Sequence, residues 1–198
     1  MPPGTRVLTP PTGEPYTFDP GCFSLELLLT GGPGKYARWE ILHEPADLAG
    51  WLAESRLATV PLRAADFRIR PPDLRRIKDF RDTFLSVALA LARGSRPRPA
   101  DLETINFAAG QGPVPRLNPR TLVAGWQTPI TGAQVLGAAA ADAIDQVASA
   151  SSGRLRMCAA PDCLLLFVDT SRPGNRRWCS MQRCGNRNKI RTFRTKPT

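Results

Sequence analysis

The spacing of the cysteines limits most strongly how this chain can fold. Four of the five cysteines form two CxxxxC pairs separated by fifteen residues: Cys158, Cys163, Cys179 and Cys184. Each close pair can form a tight turn, here called a knuckle, whose two thiolates converge, and the spacer can return the second knuckle to the first. The pattern therefore predicts a tetrahedral metal site around which the end of the chain folds.

Zinc is the metal that the cysteine pattern favours. Two disulfides would need an oxidising compartment, but the opening MPPGTRVLTPPTG lacks the apolar core of a secretion signal. The apolar run FLSVALALA at residues 84–92 is too short to span a bilayer. We therefore expect a cytoplasmic protein with no membrane partner and with Zn²⁺ at the four cysteines. Iron–sulfur ligation stays open, although nothing in the spacing favours it.

The expected role of this zinc ion is structural. A metal ion closed in by four sulfur ligands has no open position for water or substrate. The segment from Arg154 onward is too short to bury a sufficient core by itself. Metal binding contributes roughly 10 to 16 kcal/mol to folding in modules of this kind. We expect the metal to hold the module together and not to catalyse.

Positive charge is concentrated in the same segment. The net charge of the chain is +10, and the residues from Arg154 onward contain eleven Lys and Arg against two acidic residues. Four thiolates and one zinc ion add about −2, so the module stays strongly basic. Such a charge attracts polyanions, which makes DNA the leading partner. RNA is not excluded, because backbone electrostatics does not distinguish the two polymers.

The local pattern around the cysteines predicts a small zinc finger. Residues 164–169 are predicted to form a strand, followed by a turn and a returning strand at residues 176–178. Ser180 is a predicted N-cap for a helix that contains Gly185. A side chain in place of Gly185 is expected to crowd the metal. The order of knuckle, hairpin, knuckle and helix is that of a treble-clef-like zinc finger.

Basic residues follow one side of the predicted terminal helix. At 100° per residue, four of its arginines lie within an arc of about 80°. Ile190 and Phe193 are expected to anchor the helix on Trp178. A basic face on a helix fixed by a metal suits a duplex groove or a phosphate backbone. We predict nucleic-acid contacts from seven residues: Arg176, Arg177, Arg183, Arg187, Lys189, Arg191 and Arg194.

This segment resembles a known family. RLRMCAAPDCLLLFVDTSRPGNRRWCSMQRCGNRNK, residues 154–189, is similar to the CGNR zinc finger, named for the tetrapeptide that begins here at Cys184. The likeness also covers the paired cysteines, Phe167, Asp169 and the RRWCS stretch that begins at Arg176. The resemblance implies zinc at the four cysteines and suggests DNA binding through the basic residues.

The same resemblance implies the nature of the preceding domain. In that family the finger follows a domain called ABATE, described as a stress-induced transcription regulator. Members commonly open with a segment like LDFVNT, where this chain has LELLLT at residues 25–30. Leu29 occupies the position of the asparagine, so no role of that asparagine is carried over.

The larger part of the chain is predicted to be mainly helical. SLELLL, HEPADLAGWLAESRL, residues 73–92 and a segment near Ala100 have helical features, and Thr131 with Gln134 forms a capping box that opens a further, alanine-rich helix. VPRLNP and TLVAGWQTPI predict a β-hairpin. The polar segment SASSG predicts a joint between a domain at 1–150 and the finger at 154–198. The predicted fold class is α+β, with a mainly helical N-terminal domain and a C-terminal treble-clef-like zinc finger.

The N-terminal part offers no catalytic motif. A nucleophile elbow, a phosphate-binding glycine loop and a carboxylate pair are all missing from the sequence, so we expect no enzyme activity. His43 is expected at a helix start or on the surface, and Cys22 as a small buried side chain. Trp39, Trp51 and Trp126 are expected in the core, with a small-molecule pocket as the alternative.

Together these features predict a transcription regulator. A helix-rich domain for sensing or assembly, with a small-molecule effector as a candidate ligand, would be joined to a basic zinc finger that holds DNA. Two alternatives belong to other classes. The finger could be a protein–protein interaction module whose arginines pair with acidic patches, or a redox switch that releases zinc when its thiolates are oxidised. The oligomeric state is not indicated.

Overall fold

The structure is a computed structural model that describes residues 3–10, 13–150 and 153–194, with side chains up to Arg191. Its mixed α+β architecture confirms the predicted fold class. The described α-helices are α1 (Phe23–Leu27), α2 (Pro45–Ala53), α3 (Pro71–Ala92), α4 (Pro99–Ala108), α5 (Gly132–Ala148) and α6 (Asn186–Arg194). Short 3₁₀ helices lie at Leu28–Thr30, Gly34–Trp39 and Ala64–Asp66.

The strands are short and form pairs. They are β1 (Arg6–Leu8), β2 (Tyr16–Phe18), β3 (Phe67–Arg68), β4 (Pro115–Leu117), β5 (Ala124–Trp126), β6 (Ile130–Thr131), β7 (Leu155–Met157) and β8 (Leu166–Val168). Antiparallel pairs join β1 with β2, β4 with β5 and β7 with β8, whereas β3 and β6 are parallel. The β4–β5 pair is the hairpin predicted in the N-terminal part.

Helix α3 is the longest helix in the described part of the chain. It begins at Pro71, two residues before the predicted start, because proline fits the first turn of a helix, where its missing N–H is not needed. The Asp73 carboxylate accepts a hydrogen bond of 3.0 Å from the Arg70 backbone N–H and caps this turn. Gly94, at a φ of +70°, lies just beyond the helix end, where glycine commonly adopts the left-handed conformation.

The ends of helices α5 and α1 can be compared with the sequence patterns that predicted them. The predicted capping box of α5 is confirmed, because Thr131 Oγ1 accepts from the Gln134 N–H at 3.3 Å and Gln134 Oε1 accepts from the Thr131 N–H at 2.9 Å. Helix α1 is shorter than the SLELLL pattern suggests, and the chain continues from it into the 3₁₀ turn Leu28–Thr30.

The core is built on α3. This helix packs against α4 and α5, and α1 packs on α5. Fully buried apolar side chains of this cluster include Leu27, Leu42, Leu48, Leu52, Ile77, Phe84, Val87 and Ile130. Cys22 is buried, as predicted, and His43 is exposed directly before α2. Trp51 and Trp126 pack against the core, whereas Trp39 is 36% exposed and contradicts the prediction.

The N-terminal part and the cysteine-containing segment are packed together. Leu155 of β7 and Leu166 of β8 are buried in the same apolar cluster as α3. Conversely, two residues of the N-terminal part, Tyr16 and Phe18 of β2, are buried among the four paired cysteines. The Val168 N–H donates to the Pro20 carbonyl at 2.8 Å and continues this contact along the backbone. No helix in the described residues is both long and apolar enough to cross a membrane.

Candidate metal centre and nucleic-acid interface

The structure brings the four predicted ligands together. The sulfur atoms of Cys158, Cys163, Cys179 and Cys184 all lie within 4.8 Å of one another and are buried. The Cys179 sulfur is 3.7 Å from that of Cys163 and 3.5 Å from that of Cys184. A zinc ion with four sulfur ligands at about 2.3 Å requires sulfur–sulfur distances of about 3.8 Å. The four cysteines therefore fit a tetrahedral zinc ion, and they form the zinc site of the chain.

The first knuckle lies inside the β7–β8 hairpin. The Cys158 N–H donates to the Leu165 carbonyl at 2.9 Å, and the Cys163 N–H donates to the Ala160 carbonyl at 3.0 Å. The predicted pairing was wrong at this point, because β8 pairs with the preceding β7 and residues 176–178 form no strand. The first knuckle contacts that segment through the Ala159 N–H, which donates to the Arg177 carbonyl at 2.9 Å. The first knuckle already places β8 beside β7. The position of residues 176–178 is therefore set by the metal site and not by strand pairing.

Asp169 shapes the loop that connects β8 to the second knuckle. Its carboxylate is fully buried and accepts hydrogen bonds from the Ser171 N–H at 3.0 Å and from the Arg176 N–H at 2.7 Å. Burial opposes ionisation of this group, but the hydrogen bonds from Ser171 and Arg176 outweigh it and hold the pKa of Asp169 below its ordinary value. Asp169, which is part of the likeness to the CGNR zinc finger, thus positions the chain ahead of Cys179.

The second knuckle is formed by a wide helical turn. Ser180 is the N-cap residue, as predicted, and a π-helical turn at Met181–Gly185 precedes α6. The Gly185 N–H donates to the Ser180 carbonyl at 3.1 Å and closes this turn. A Cβ atom on Gly185 would lie 2.8 Å from Met181 Sδ and 3.4 Å from Trp178 Cδ1. These two side chains are therefore the first obstacles to a side chain at position 185, and crowding of the metal itself stays a prediction.

The contacts among the four sulfur atoms show why four thiolates at this spacing require a cation. Contacts with the sulfur atoms of Cys158 and Cys163 raise the pKa of the Cys179 thiol, because losing its proton would place like charges side by side. The Cys179 N–H donates to the Cys158 sulfur at 3.4 Å, and Arg187 Nη2 donates to the Cys184 sulfur at 3.7 Å. A dication removes this repulsion when all four ligands are thiolates.

Arg176 points into the finger. Its guanidinium carbon is 4.1 Å from the ring centroid of Phe167, and its Nη2 donates to the Cys179 carbonyl at 2.7 Å. Its Nε donates to the Trp178 carbonyl at 3.1 Å. These contacts connect a buried aromatic ring of β8 to the backbone at a metal ligand. Arg176 therefore has a structural role in the finger, in addition to its predicted role in phosphate binding.

Arg183 contacts the N-terminal hairpin. Arg183 Nη1 donates to the Tyr16 hydroxyl at 2.8 Å, and its guanidinium carbon lies 4.9 Å from the centroid of that ring. Arg183 is half-buried by this contact. Burial raises the pKa of Tyr16 to about 12, so the phenol stays protonated at neutral pH. The π-helical turn also breaks the 100° spacing on which the predicted arginine arc depended.

Four of the predicted contact residues are exposed. They are Arg177, Arg187, Lys189 and Arg191, which together we call the basic surface. Within it, Arg187 pairs with Asp162 at 2.9 Å, and Arg191 Nη2 donates to Asn188 at 3.1 Å. The side chains of Arg194 and Phe193 lie outside the described residues.

The predicted anchoring of α6 by Ile190 is wrong, because this side chain is 54% exposed. Two residues far away in the chain, Tyr16 and Phe18, are also buried around the zinc site and were not predicted as part of it. Their alternation with an exposed Thr17 in YTF was the available signal for a strand with one buried face. The sequence carried no signal for what that face would cover.

Comparison with known families agrees with both parts of the structure. Residues 154–196 match the CGNR zinc finger, and residues 21–150 match ABATE, whose description is "Putative stress-induced transcription regulator". A comparison with curated proteins finds no match. Because the ABATE match covers more than half of the residues and the zinc site lies within the CGNR match, the chain belongs to the ABATE family and ends in a CGNR zinc finger.

Proposed function

We propose that the chain binds double-stranded DNA through the basic surface and acts as a transcription regulator, without enzymatic activity. The observation that carries the proposal is the exposure of Arg177, Arg187, Lys189 and Arg191 on a finger that a zinc ion holds in shape. The finger contains two acidic residues, and one of them, Asp169, is buried and engaged within its own loop. The surface therefore keeps an excess of positive charge for phosphate groups.

The helix after the second knuckle supplies a place for the polyanion. Arg187 and Arg191 lie one turn apart on α6 and line a shallow groove with Ala160 and Pro161 of the first knuckle. Arg187 is paired with Asp162, but this pair is exposed, and exposed ion pairs contribute little. A phosphate group can therefore compete for Arg187 at small energetic cost.

The contacts divide six of the seven predicted residues, five arginines and one lysine, into two groups, and the side chain of the seventh, Arg194, lies outside the described residues. Arg176 and Arg183 position the finger, because their guanidinium groups bind backbone carbonyls and Tyr16. The basic surface supplies the phosphate contacts. Zinc supplies the fixed geometry, since binding by four sulfur ligands leaves it no open position for chemistry. Phosphate contacts of this kind account for affinity and not for base recognition.

A titration of the zinc-loaded chain with a fluorescent DNA duplex, followed by anisotropy at several salt concentrations, tests the proposal. The triple variant Arg187→Gln, Lys189→Gln, Arg191→Gln removes three charges from α6. Each lost phosphate contact lowers the salt slope by about 0.9, so we expect the slope to fall by about 2 to 3 together with the affinity.

A matched control removes the same charge elsewhere. Arg75, Arg76 and Arg120 are exposed in the N-terminal part, and their triple change to Gln has the same effect on the net charge. The control variant is expected to bind DNA with nearly the original salt slope. No duplex binding at low salt, or an equal loss in both triple variants, would contradict the proposal. Stronger binding to an RNA duplex of the same sequence would change the polymer assigned.

An interaction module is the second candidate, because Arg183 already contacts the N-terminal part of the same chain. In that case the basic surface would bind an acidic protein and not a duplex. The same anisotropy titration with polyglutamate in place of DNA separates the two. Tight binding of polyglutamate without binding of DNA would favour the interaction module.

A further inference from the structure

A cavity of about 340 Å³ lies between the N-terminal part and the zinc finger. Its walls come from the β1–β2 hairpin, from the two 3₁₀ helices after α1, and from both knuckles of the finger. The hairpin precedes residue 21, where the ABATE match begins. This volume is within the range of small-molecule sites, about 300 to 1,000 Å³.

One side of the cavity is apolar. Leu25, Leu28 and Leu29 line it from the N-terminal part, and Leu165 lines it from the finger. Trp39 also lines it, and its exposure of 36% is high for a tryptophan outside an interface. Leu25 and Leu28 are buried beneath this side, whereas Leu29, Leu165 and Trp39 are partly exposed, so an apolar ligand would cover these last three side chains.

The other side of the cavity carries positive charge. Arg38, Arg183 and Arg187 line it, and Asp162 is the acidic residue among the described lining residues. Asp162 is already paired with Arg187. Arg183 is half-buried, and its hydrogen-bond partner is the neutral phenol of Tyr16. Among the described residues, no carboxylate lies within ion-pair distance of Arg183. A half-buried guanidinium without a carboxylate favours an anionic ligand.

We propose that this cavity binds an apolar carboxylate, with the acid on Arg183 and the apolar body against Leu29 and Trp39. A guanidinium group binds a carboxylate through two parallel hydrogen bonds, whereas a neutral amide cannot form the same pair. The leucine side chains suit either an aromatic ring system or an acyl chain, and both carry the same recognition chemistry.

The site couples to DNA binding, and this part rests on the proposed function. Arg187 lines the cavity and also belongs to the basic surface. A carboxylate in the cavity would draw on the positive charge that phosphate groups need, so ligand and DNA are expected to weaken each other's binding. Linkage requires the two effects to be equal in size.

Isothermal titration calorimetry of the zinc-loaded full chain provides the direct test, with 2-naphthoate, octanoate and the neutral 2-naphthamide as probes. We expect one carboxylate per chain to bind and the amide to bind at least about tenfold more weakly, because a charge-assisted hydrogen bond is lost. The carboxylate that binds more tightly, 2-naphthoate or octanoate, indicates whether the apolar part of the ligand is a ring system or an acyl chain.

Two variants test the assigned contacts. Arg183→Gln is expected to weaken carboxylate binding at least about tenfold while leaving amide binding unchanged. Leu29→Trp fills the cavity and is expected to abolish binding of all three probes. Arg120→Gln, an exposed arginine outside the cavity, is the matched control and is expected to bind as the original chain does. Zinc content and melting temperature are recorded for each variant to confirm folding.

Failure of this proposal is distinct from failure of DNA binding. Absence of binding by both carboxylates, equal binding of the amide, or an unchanged affinity in Arg183→Gln would overturn the carboxylate site, whatever the duplex titration shows. Carboxylate binding in a chain that binds no DNA would support the site and remove only its coupling to the basic surface.

Discussion

At the scale of single residues, the sequence indicates which polar groups organise this molecule but not the partners that hold them. Asp169 could be marked from the family likeness, but its hydrogen bonds to the loop that ends at Arg176 could not. Arg183 was predicted from charge alone, and its contact with Tyr16 spans most of the chain. Residue type predicted the zinc ligands well, because four thiolates at this spacing have few other uses.

Glu40 gives a residue-scale prediction for pH dependence. Burial opposes its ionisation, but hydrogen bonds from Arg81, at 2.9 Å and 3.2 Å, and from the Leu42 N–H lower the pKa of Glu40 to about 2. Because the folded pKa lies below the ordinary value, the ionised group stabilises the fold above about pH 4.5. This stabilisation is lost as the pH falls towards 2.

Urea unfolding of Glu40→Gln at several pH values checks this prediction. The variant is expected to be about 1 to 3 kcal/mol less stable than the original chain at pH 7. The difference should shrink steadily between pH 4.5 and pH 3. Glu103→Gln, at an exposed position, serves as the control with little change. A difference that stays constant with pH would contradict the assigned ion pair.

At the scale of elements, local signals predicted helices better than strand pairs. The helices α3 and α5 follow from apolar periodicity and capping residues, which are properties of neighbouring positions. The pairing of β7 with β8 depends on where the first knuckle folds the chain back, so the strand preference of residues 164–169 could not identify its partner. The π-helical turn at Met181–Gly185 likewise depends on the metal ligands at both of its ends.

Two glycines in helices give an element-scale prediction with an internal control. A Cβ atom on Gly137 of α5 would lie 2.9 Å from the carbonyl oxygens of Gly110 and Gln111, which are backbone atoms that cannot move aside easily. A Cβ atom on Gly50 of α2 would meet open space. Gly137→Ala is therefore expected to destabilise the fold by about 1 to 3 kcal/mol. Gly50→Ala should stabilise it by about 0.5 to 1 kcal/mol.

Thermal and urea unfolding of these two alanine variants measures the difference. The opposite signs follow from one substitution in two environments, so helix propensity alone cannot explain them. Stabilisation by both changes would mean that α5 does not pack closely on the segment that follows α4.

At the scale of the whole molecule, the finger and the N-terminal part depend on each other. The sequence predicts a joint at residues 149–153 and therefore two separate parts. In the structure, Leu155 and Leu166 complete the core around α3, while Phe18 completes the cluster around the cysteines. This packing is a property of two complementary surfaces, and neither the periodicity nor the spacing of motifs identifies such a pair in advance.

Removing the metal tests this mutual dependence. Stripping zinc with a chelator, or changing Cys184→Ser, is expected to lower the melting temperature of the entire chain by about 10 °C or more, since each kcal/mol shifts it by about 2 to 4 °C at this size. Calorimetry should still record a single transition. Cys22→Ala, which removes the cysteine outside the site, should retain one zinc ion. A separate, unshifted transition of the helical part after zinc removal would contradict shared packing.

In this fold four thiolates hold one zinc ion, and that ion fixes the basic surface. X-ray absorption at the zinc edge, combined with the zinc content of the purified chain, tests it most directly. We expect one zinc ion per chain with four sulfur neighbours at about 2.3 Å. A purified chain without zinc, or a zinc ion with nitrogen or oxygen atoms in place of any of the four sulfur ligands, would contradict it.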